Sequence, residues 1–465
     1  SPVPSTPTTA WEPTCSQPAE MKVLRAHYYF ELSRLFNKIP YFDENVEISQ
    51  YPDIPNNEFT RDEILSMLAK EMLDAAELLP ASQSEVGRIH KYIALAYAAK
   101  IKLYQAYQQD ETTHAVTSIN KELLREVVSL CDQVTASNRY GLLDDFQGLD
   151  LVANENGKES VFAIQYSMND GTESAGRINW SNLLNSPGGG SPYGGDGFFL
   201  PSQDLINAYQ TDANGLPDFN YQSKSDYSWA VLNNGVYTLQ NTTPNVDPRL
   251  DFVVGRPTIT WKTYPDKPCE GWVRDKETYG YNCAKRFWVS PESSDMFNGW
   301  PWGASQLNWQ IIRYADILLW KAEALIELNE GDGLETARDL INQIRNRARN
   351  SAYVKDFNDH SKYAANYLVN PYPADVWNQD YARQALRWET RLEKALEGER
   401  FFDLVRWGIV ETTMNKYITA ESDNRIYYAN AHFTGGKDEY YPVPNNQYGF
   451  SGGKYVQNPG YAPFN

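Results

Sequence analysis

The chain has 465 residues, 42% hydrophobic and 14% aromatic, a composition that can bury a sizeable core and excludes a disordered chain. Lys and Arg total 42 against 60 Asp and Glu, so the net charge of −18 repels phosphate backbones and excludes nucleic acid as a partner. No apolar run approaches the roughly 20 residues that span a bilayer.

Residues 1–18 read as a linker or a processed N-terminus: "SPVPSTPTTAWEPTCSQP" is rich in Pro and Thr and has neither the charged start nor the apolar stretch of a signal peptide. From there Met21, Leu24, Tyr28, Leu32 and Leu35 recur at steps of three and four, which predicts an amphipathic helix over 18–37 stopped by Pro40. Thr60 with Glu63 three positions on predicts a capping box and a second helix closing before Pro80. Helices are also expected over about 88–107 and 121–135, giving a first segment, 19–139, of helical hairpins stacked side by side.

Between about 140 and 308 the periodicity gives way to short strand-like pieces, "SVFAIQY" and "LDFVVG", separated by Gly-, Pro- and Asn-rich turns. Of 13 tryptophans, eight (Trp180, Trp229, Trp261, Trp272, Trp288, Trp300, Trp302 and Trp309) fall in this region or at its edge, which marks it as the part to search for a binding site. Helices return in "IIRYADILLWKAEALIEL", 311–328, where Arg313, Asp316, Lys321 and Glu323 interrupt an apolar stripe. Leu334, Ala337, Ile341, Ile344 and Ala348 form the stripe of its partner, and the two resemble a tetratricopeptide-type hairpin. A last helix is expected over 381–407 with Gly398 in its interior, at a cost of about 1 kcal/mol relative to Ala, a glycine that would permit close approach of another backbone. Charges buried in such a scaffold must be paired, and Arg345, Arg400 and Asp403 are the expected partners of Arg313, Asp316 and Glu323.

Catalytic signatures are missing from the sequence. The five histidines are scattered with no HExxH, and there is no GxSxG elbow. "SPGGGSPYGGDGF" lacks the Lys-Ser/Thr of a phosphate-binding loop. "QTDANGLPDFNY" has Asp212 and Asn214 at calcium-loop offsets, but Gln210 and Tyr221 stand at the first and last ligand positions, so a turn is expected. No metal or cofactor is expected, a structural calcium on other loop carboxylates being the one exception left open. Cys15, Cys131, Cys269 and Cys283 contain no CxxC, and an oxidising compartment would let Cys269 and Cys283 pair and stiffen a loop.

Several stretches, in order, are similar to one family. "AEMKVLRAHYYFELSRLFNKIPYF", "AELLP", "GRIHKYIALAYAAKIKLY", "DPRLDFVVGRP", "WVRD", "RYADILLWKAEAL", "INQIRNRA", "EGERFFDLVRWG", "YYPVPNNQ" and "QNPGY" resemble the SusD/RagB outer-membrane glycan-binding lipoproteins of Bacteroidetes from about residue 19 to the end. "ETRLEK" departs from the family's Glu-Arg-Arg-x-Glu-Leu at Thr390 and Lys394, and Cys15, after "EPT", is no lipobox. The resemblance implies a mostly α fold, a tetratricopeptide-like helical scaffold with a large loop-rich excursion containing short strands, in one domain spanning 19–465 whose C-terminal helices and tail occupy 309–465. It further implies a non-catalytic cell-surface protein that captures a polysaccharide or oligosaccharide for a SusC-like TonB-dependent transporter. Such a protein would meet the outer membrane only through a lipid anchor not present in this chain. The alternatives are a peptide-capturing relative or helical interaction scaffold and, more weakly supported, a glycoside hydrolase using a carboxylate pair.

The family's sugar contacts are not bound to a motif, so site candidates rest on composition. Sugar rings present apolar C–H faces, for which flat aromatic rings make platforms. Trp261, Trp272, Trp300 and Trp302, flanked by Gly, Pro and Asn as exposed loops are, lead the candidates, with Trp180 and Tyr193 beside them. Trp309, Trp320, Trp388 and Trp407 are expected on helices, as scaffold.

Overall fold

The structure, a computed structural model, describes residues 16–464 apart from 173–175, 181, 186, 189, 234–235, 241–243 and 265–270. Most of the expected linker, Cys15 within it, and Cys269 with its suggested bond to Cys283 lie outside the described residues.

Four helices open the fold: α1 (Ser16–Phe36), α2 (Arg61–Leu78), α3 (Lys91–Ala106) and α4 (Lys121–Ala136). Each packs on the next. α2 starts where its capping box does: the Glu63 carboxylate accepts from the Thr60 N–H at 2.8 Å, and the Thr60 hydroxyl accepts from the Glu63 N–H at 3.3 Å. α1 ends before Pro40 because Asn37 turns left-handed, φ 58°, a conformation short polar side chains tolerate. α3 is enclosed on nearly all sides, and its Ala94, Ala96, Ala98 and Ala99 let α2 and α4 approach closely.

The stack resumes far along the chain. α5 (Tyr314–Leu328) packs against α4 and against α6 (Gly333–Asn350) and α7 (Gln379–Glu393), so N- and C-terminal helices share one core. The helix expected over 311–328 begins only at Tyr314. Residues Trp309–Arg313 are instead strand β2, paired antiparallel with β1 (Ser160–Ile164), and Trp309 is therefore on a strand. The helix expected over 381–407 is also two: α7 ends at Glu393 and α8 (Arg400–Arg406) follows, leading to α9 (Val410–Ser422). Gly398 sits in the break at φ +81°, with open space where a Cβ would be, so backbone conformation and not close approach explains the glycine.

The intervening excursion builds two cores of its own. Phe146, Ile206, Tyr209, Leu250 and Phe252 pack onto Leu392 and Ala395 at the end of α7, while Tyr193, Trp261, Trp272 and Trp288 form a smaller aromatic cluster. Buried ion pairs tie these pieces to the helices. Arg249 reaches Asp247 at 2.7 Å, Glu389 at 2.6 Å and Glu393 at 3.1 Å, and Arg313 reaches Glu159 at 3.0 Å and Glu393 at 2.6 Å. Arg286 joins Asp150 at 3.1 Å to Glu397 at 3.2 Å. Burial alone would push the Glu397 carboxyl up, but Arg313, Lys394 and Arg286 together hold it well below the usual carboxylate range.

The charges of α5 are thus structural, with partners other than those expected. The Asp316 carboxylate accepts from the Arg313 N–H at 2.8 Å at the start of the helix and pairs with Lys394 at 2.7 Å, and Glu323 accepts from the Tyr107 hydroxyl at 2.6 Å and the Trp407 indole at 2.8 Å while pairing with Arg406. Arg345 pairs with Glu389 at 3.0 Å instead.

Candidate functional site

The segment 297–304 leaves the body as a closed loop: the Phe297 N–H donates to the Ala304 carbonyl at 2.8 Å, and Gly299 and Gly303 supply the positive φ of 129° and 74° at its tip. That tip carries Trp300 and Trp302. The Asn179 N–H donates to the Ser305 carbonyl at 3.0 Å, which brings the neighbouring Trp180 beside Trp300. Trp180 and Trp300 meet edge to face, ring centres 5.0 Å apart and planes at 76°. The three indoles are 42%, 61% and 48% exposed for Trp180, Trp300 and Trp302. Beneath them Gly194, at φ +64°, lies so close that a Cβ would touch the Trp302 ring atom Cγ at 3.5 Å.

Trp261, Trp272 and Tyr193 do not join this patch; they are buried, which overturns the reading of the two tryptophans as exposed loop aromatics and takes the tyrosine candidate off the surface. Trp261 packs against Trp272 at 5.1 Å and Tyr193 at 5.9 Å, and its indole N–H donates to the Tyr193 hydroxyl at 2.9 Å, which itself donates to the Val289 carbonyl at 2.6 Å. An excursion that reaches beyond the helical core must bury apolar area of its own, and large aromatics do this with few residues. Trp288 is buried in the same cluster.

The sequence reading missed a cavity of about 930 Å³ bounded by α7, α8, α9 and the segments around 199–205 and 219–222. Trp388 and Trp407, read as scaffold, line it. The half-buried Trp388 ring lies against Phe219 at 5.1 Å and Tyr221 at 5.5 Å, and its N–H donates to the Ala208 carbonyl at 3.1 Å. Phe199 lines the cavity five residues beyond Gly194, so at most about 18 Å of extended chain separates it from the glycine under Trp302. No local pattern announces the cavity, because its walls come from three separate parts of the chain.

Among the described residues no group of three or more His, Cys, Asp or Glu side chains is arranged to hold a metal ion, and no helix is long and apolar enough to cross a membrane. Asp212 closes a turn, its carboxylate accepting from the N–H groups of Asn214 at 2.8 Å and Leu216 at 2.9 Å.

Comparison with known proteins gives the same picture from sequence and from fold. The chain is 24% identical over 449 residues to SusD-like protein P2 of Formosa agariphila, covering 95% of this chain and 74% of that one. It is 22% identical to a SusD-like protein of Bacteroides ovatus, matching 84% of this chain but 58% of the relative's length. The fold matches a SusD homolog from Bacteroides thetaiotaomicron with a TM-score of 0.68 at 18% identity, over 96% of this chain and 79% of that one. Surface glycan-binding protein A from Bacteroides fluxus matches with a TM-score of 0.62 at 20% identity, over 97% and 80%. The model of the SusD family matches residues 158–461, well over half the sequence, and the chain belongs to the SusD family.

Proposed function

We propose that the chain is a glycan-binding protein that holds a polysaccharide or oligosaccharide on the Trp180, Trp300 and Trp302 patch. Members of its family are non-catalytic binding proteins, so no covalent step is required. The observation that carries the reading is the grouping of three indoles, each more than two-fifths exposed, on a loop tip and its neighbour. Exposed apolar area of this kind is retained where it meets a ligand. Trp180 and Trp300 stand at 76° to each other and offer differently oriented faces, which suits a curved or branched chain better than a single flat platform. In this reading the captured glycan passes to a SusC-like TonB-dependent transporter of the outer membrane. The helical stack offers the contact surface and a lipid supplies the anchorage.

The test is affinity electrophoresis through gels containing soluble polysaccharides, beside Trp300→Ala and Trp302→Ala. Retardation by one glycan, lost in either variant with the melting temperature kept, supports the assignment. Retardation unchanged in both variants would refute the patch, and no retardation by any glycan would refute capture of the polysaccharides tested.

A further inference from the structure

The cavity bounded by α7, α8 and α9 is basic, although the chain carries a net charge of −18. Its described lining holds six cations, Arg383, Arg387, Arg391, Lys394, Arg400 and Lys416, against two acidic side chains, Asp204 and Asp380. Three of the cations are neutralised. Arg383 pairs with Glu327 at 2.6 Å and Asp380 at 3.0 Å, Arg391 with Asp204 at 2.7 Å, and Lys394 with Asp316 at 2.7 Å and Glu397 at 2.5 Å. Arg387, Arg400 and Lys416 line the same space without an ion pair among the described residues.

Arg387 lies over the Trp407 ring at 5.2 Å, a contact with an aromatic face that supplies no counter-charge. Arg400 has Asp403 nearby, but that carboxylate is taken by Arg406 at 2.9 Å. Burial pulls the Arg400 guanidinium down to about 9, with the Arg391 charge adding to the effect, and burial lowers Arg387 as well. A half-buried guanidinium that lines an open cavity without an ion pair is costly until an anion neutralises it, and Arg387 and Arg400 are two such groups on the wall of one cavity.

The rest of the wall is aromatic and aliphatic, with Phe219, Trp388, Phe401 and Met414 among its residues. A volume near 930 Å³ falls at the upper end of small-ligand pockets, enough for more than one sugar ring. Phe199 on this wall lies five residues from Gly194 under Trp302, so at most about 18 Å of extended chain separates the cavity from the indole patch.

We infer that this cavity is a subsite for an acidic sugar residue, whose carboxylate or sulfate is held by Arg387 and Arg400 while its ring lies against the aromatic wall. The inference rests on the glycan reading above and names the class of glycan. Arg is suited to the task because its planar donors meet a carboxylate or sulfate two at a time, whereas a neutral sugar leaves the charge unanswered.

The experiment is calorimetric titration of the full chain with five probes: an oligogalacturonide, its methyl ester, a neutral oligosaccharide of equal length, the sulfated form of that oligosaccharide, and polyglutamate. Wild type is compared with the double variant Arg387→Gln, Arg400→Gln and with Trp300→Ala. The free acid or the sulfated probe should bind about tenfold or more tightly than its uncharged counterpart, and which one does identifies the group. The double variant should abolish that ratio, and Trp300→Ala should weaken all binding while keeping it. Equal affinity for acid and ester and for sulfated and plain probes, or a ratio that survives the double variant, overturns the inference. Binding of neutral sugar alone removes the subsite and leaves the indole patch standing. Binding of polyglutamate but of no sugar overturns both. Should the double variant fail to fold, the same ratio is read on the exposed Lys416→Gln, where it should fall several-fold.

Discussion

Glu393 is the carboxylate on which the junction between scaffold and excursion turns, and Glu393→Gln tests that role. It is fully buried and accepts from Arg313 at 2.6 Å, from Arg249 at 3.1 Å and from Arg347. An amide there keeps the shape but removes the charge, and its N–H groups would face guanidinium donors. Removing one partner from a buried ion network costs about 3–5 kcal/mol, because the remaining charges stay buried. Unfolding entropy of roughly 2.1 cal/mol/K per residue gives about 1 kcal/mol/K for a chain of 465 residues. Scanning calorimetry should therefore show a melting temperature lower by about 3–5 °C. The control is Glu330→Gln, which breaks an exposed bridge to Arg125 of 2.7 Å and should move the transition by no more than about 1 °C.

The same carboxyl carries a pH signature. Burial would raise it, but Arg347, Arg313 and Arg249 hold it at about 2 against 4.5 in the free chain. Its folded value lies below its unfolded one, so the stability it contributes is complete above pH 4.5 and is lost as pH falls toward 2. Glu393→Gln should lack that part of the acid slope. If the variant melts within 1 °C of wild type, or shows the same slope below pH 4.5, the view of Glu393 as a buried charged hub is wrong.

Two further outcomes follow from burial. Trp261→Ala should lower the melting temperature by about 3–5 °C, since truncating a buried aromatic costs about 3–5 kcal/mol, whereas Trp180→Ala should move it by less than about 1 °C and instead weaken glycan retention; equal shifts in a thermal scan of the pair would refute the division into core and patch. His90 and His114 are buried and lowered to about 4 from 6.5, by burial first and then by Arg139 and Lys38 respectively. The native state holds them neutral, so stability should be full above pH 6.5 and decline as pH falls from 6.5 to 4, a decline that His90→Gln with His114→Gln should flatten in melting temperature measured against pH.

What the sequence displayed was whatever short spacing decides. Thr60 with Glu63, the stripe of α6 and the extents of α2 to α4 depend on neighbours within a turn or two, and the structure has them where the pattern puts them. The start of α5 depends on a strand partner, β1, about 150 positions away, and so Arg313 looked helical. Gly398 looks, from its neighbours alone, like a helix-interior glycine that admits another backbone, and nothing local shows that it takes φ +81° in a break between two helices. Trp261 and Trp300 have the same kind of neighbours along the chain and opposite fates, because exposure is set by which distant loops arrive. The fold class and family were thus legible, and the burial of Trp261, Trp272 and Tyr193 was not.

A patch of indoles on loops can present a fixed surface only if the loops themselves are fixed, and here the support can be followed inward. Trp302 rests on Gly194, whose neighbour Tyr193 is locked to Trp261 by the 2.9 Å hydrogen bond. The residue after Trp261, Lys262, pairs with Asp150 at 3.1 Å, and Asp150 also holds Arg286 at 3.1 Å. Arg286 reaches Glu397 at 3.2 Å in the break between α7 and α8. Apolar contacts alone would leave such irregular segments free to slide, since the hydrophobic effect is non-directional. Arg and carboxylate groups meet in few geometries, so each buried pair sets an orientation as well as a contact. That is the physical use of the charges crowded between residues 389 and 399: they join the helical stack, with its large shared core, to an excursion that carries the indole patch on smaller cores of its own.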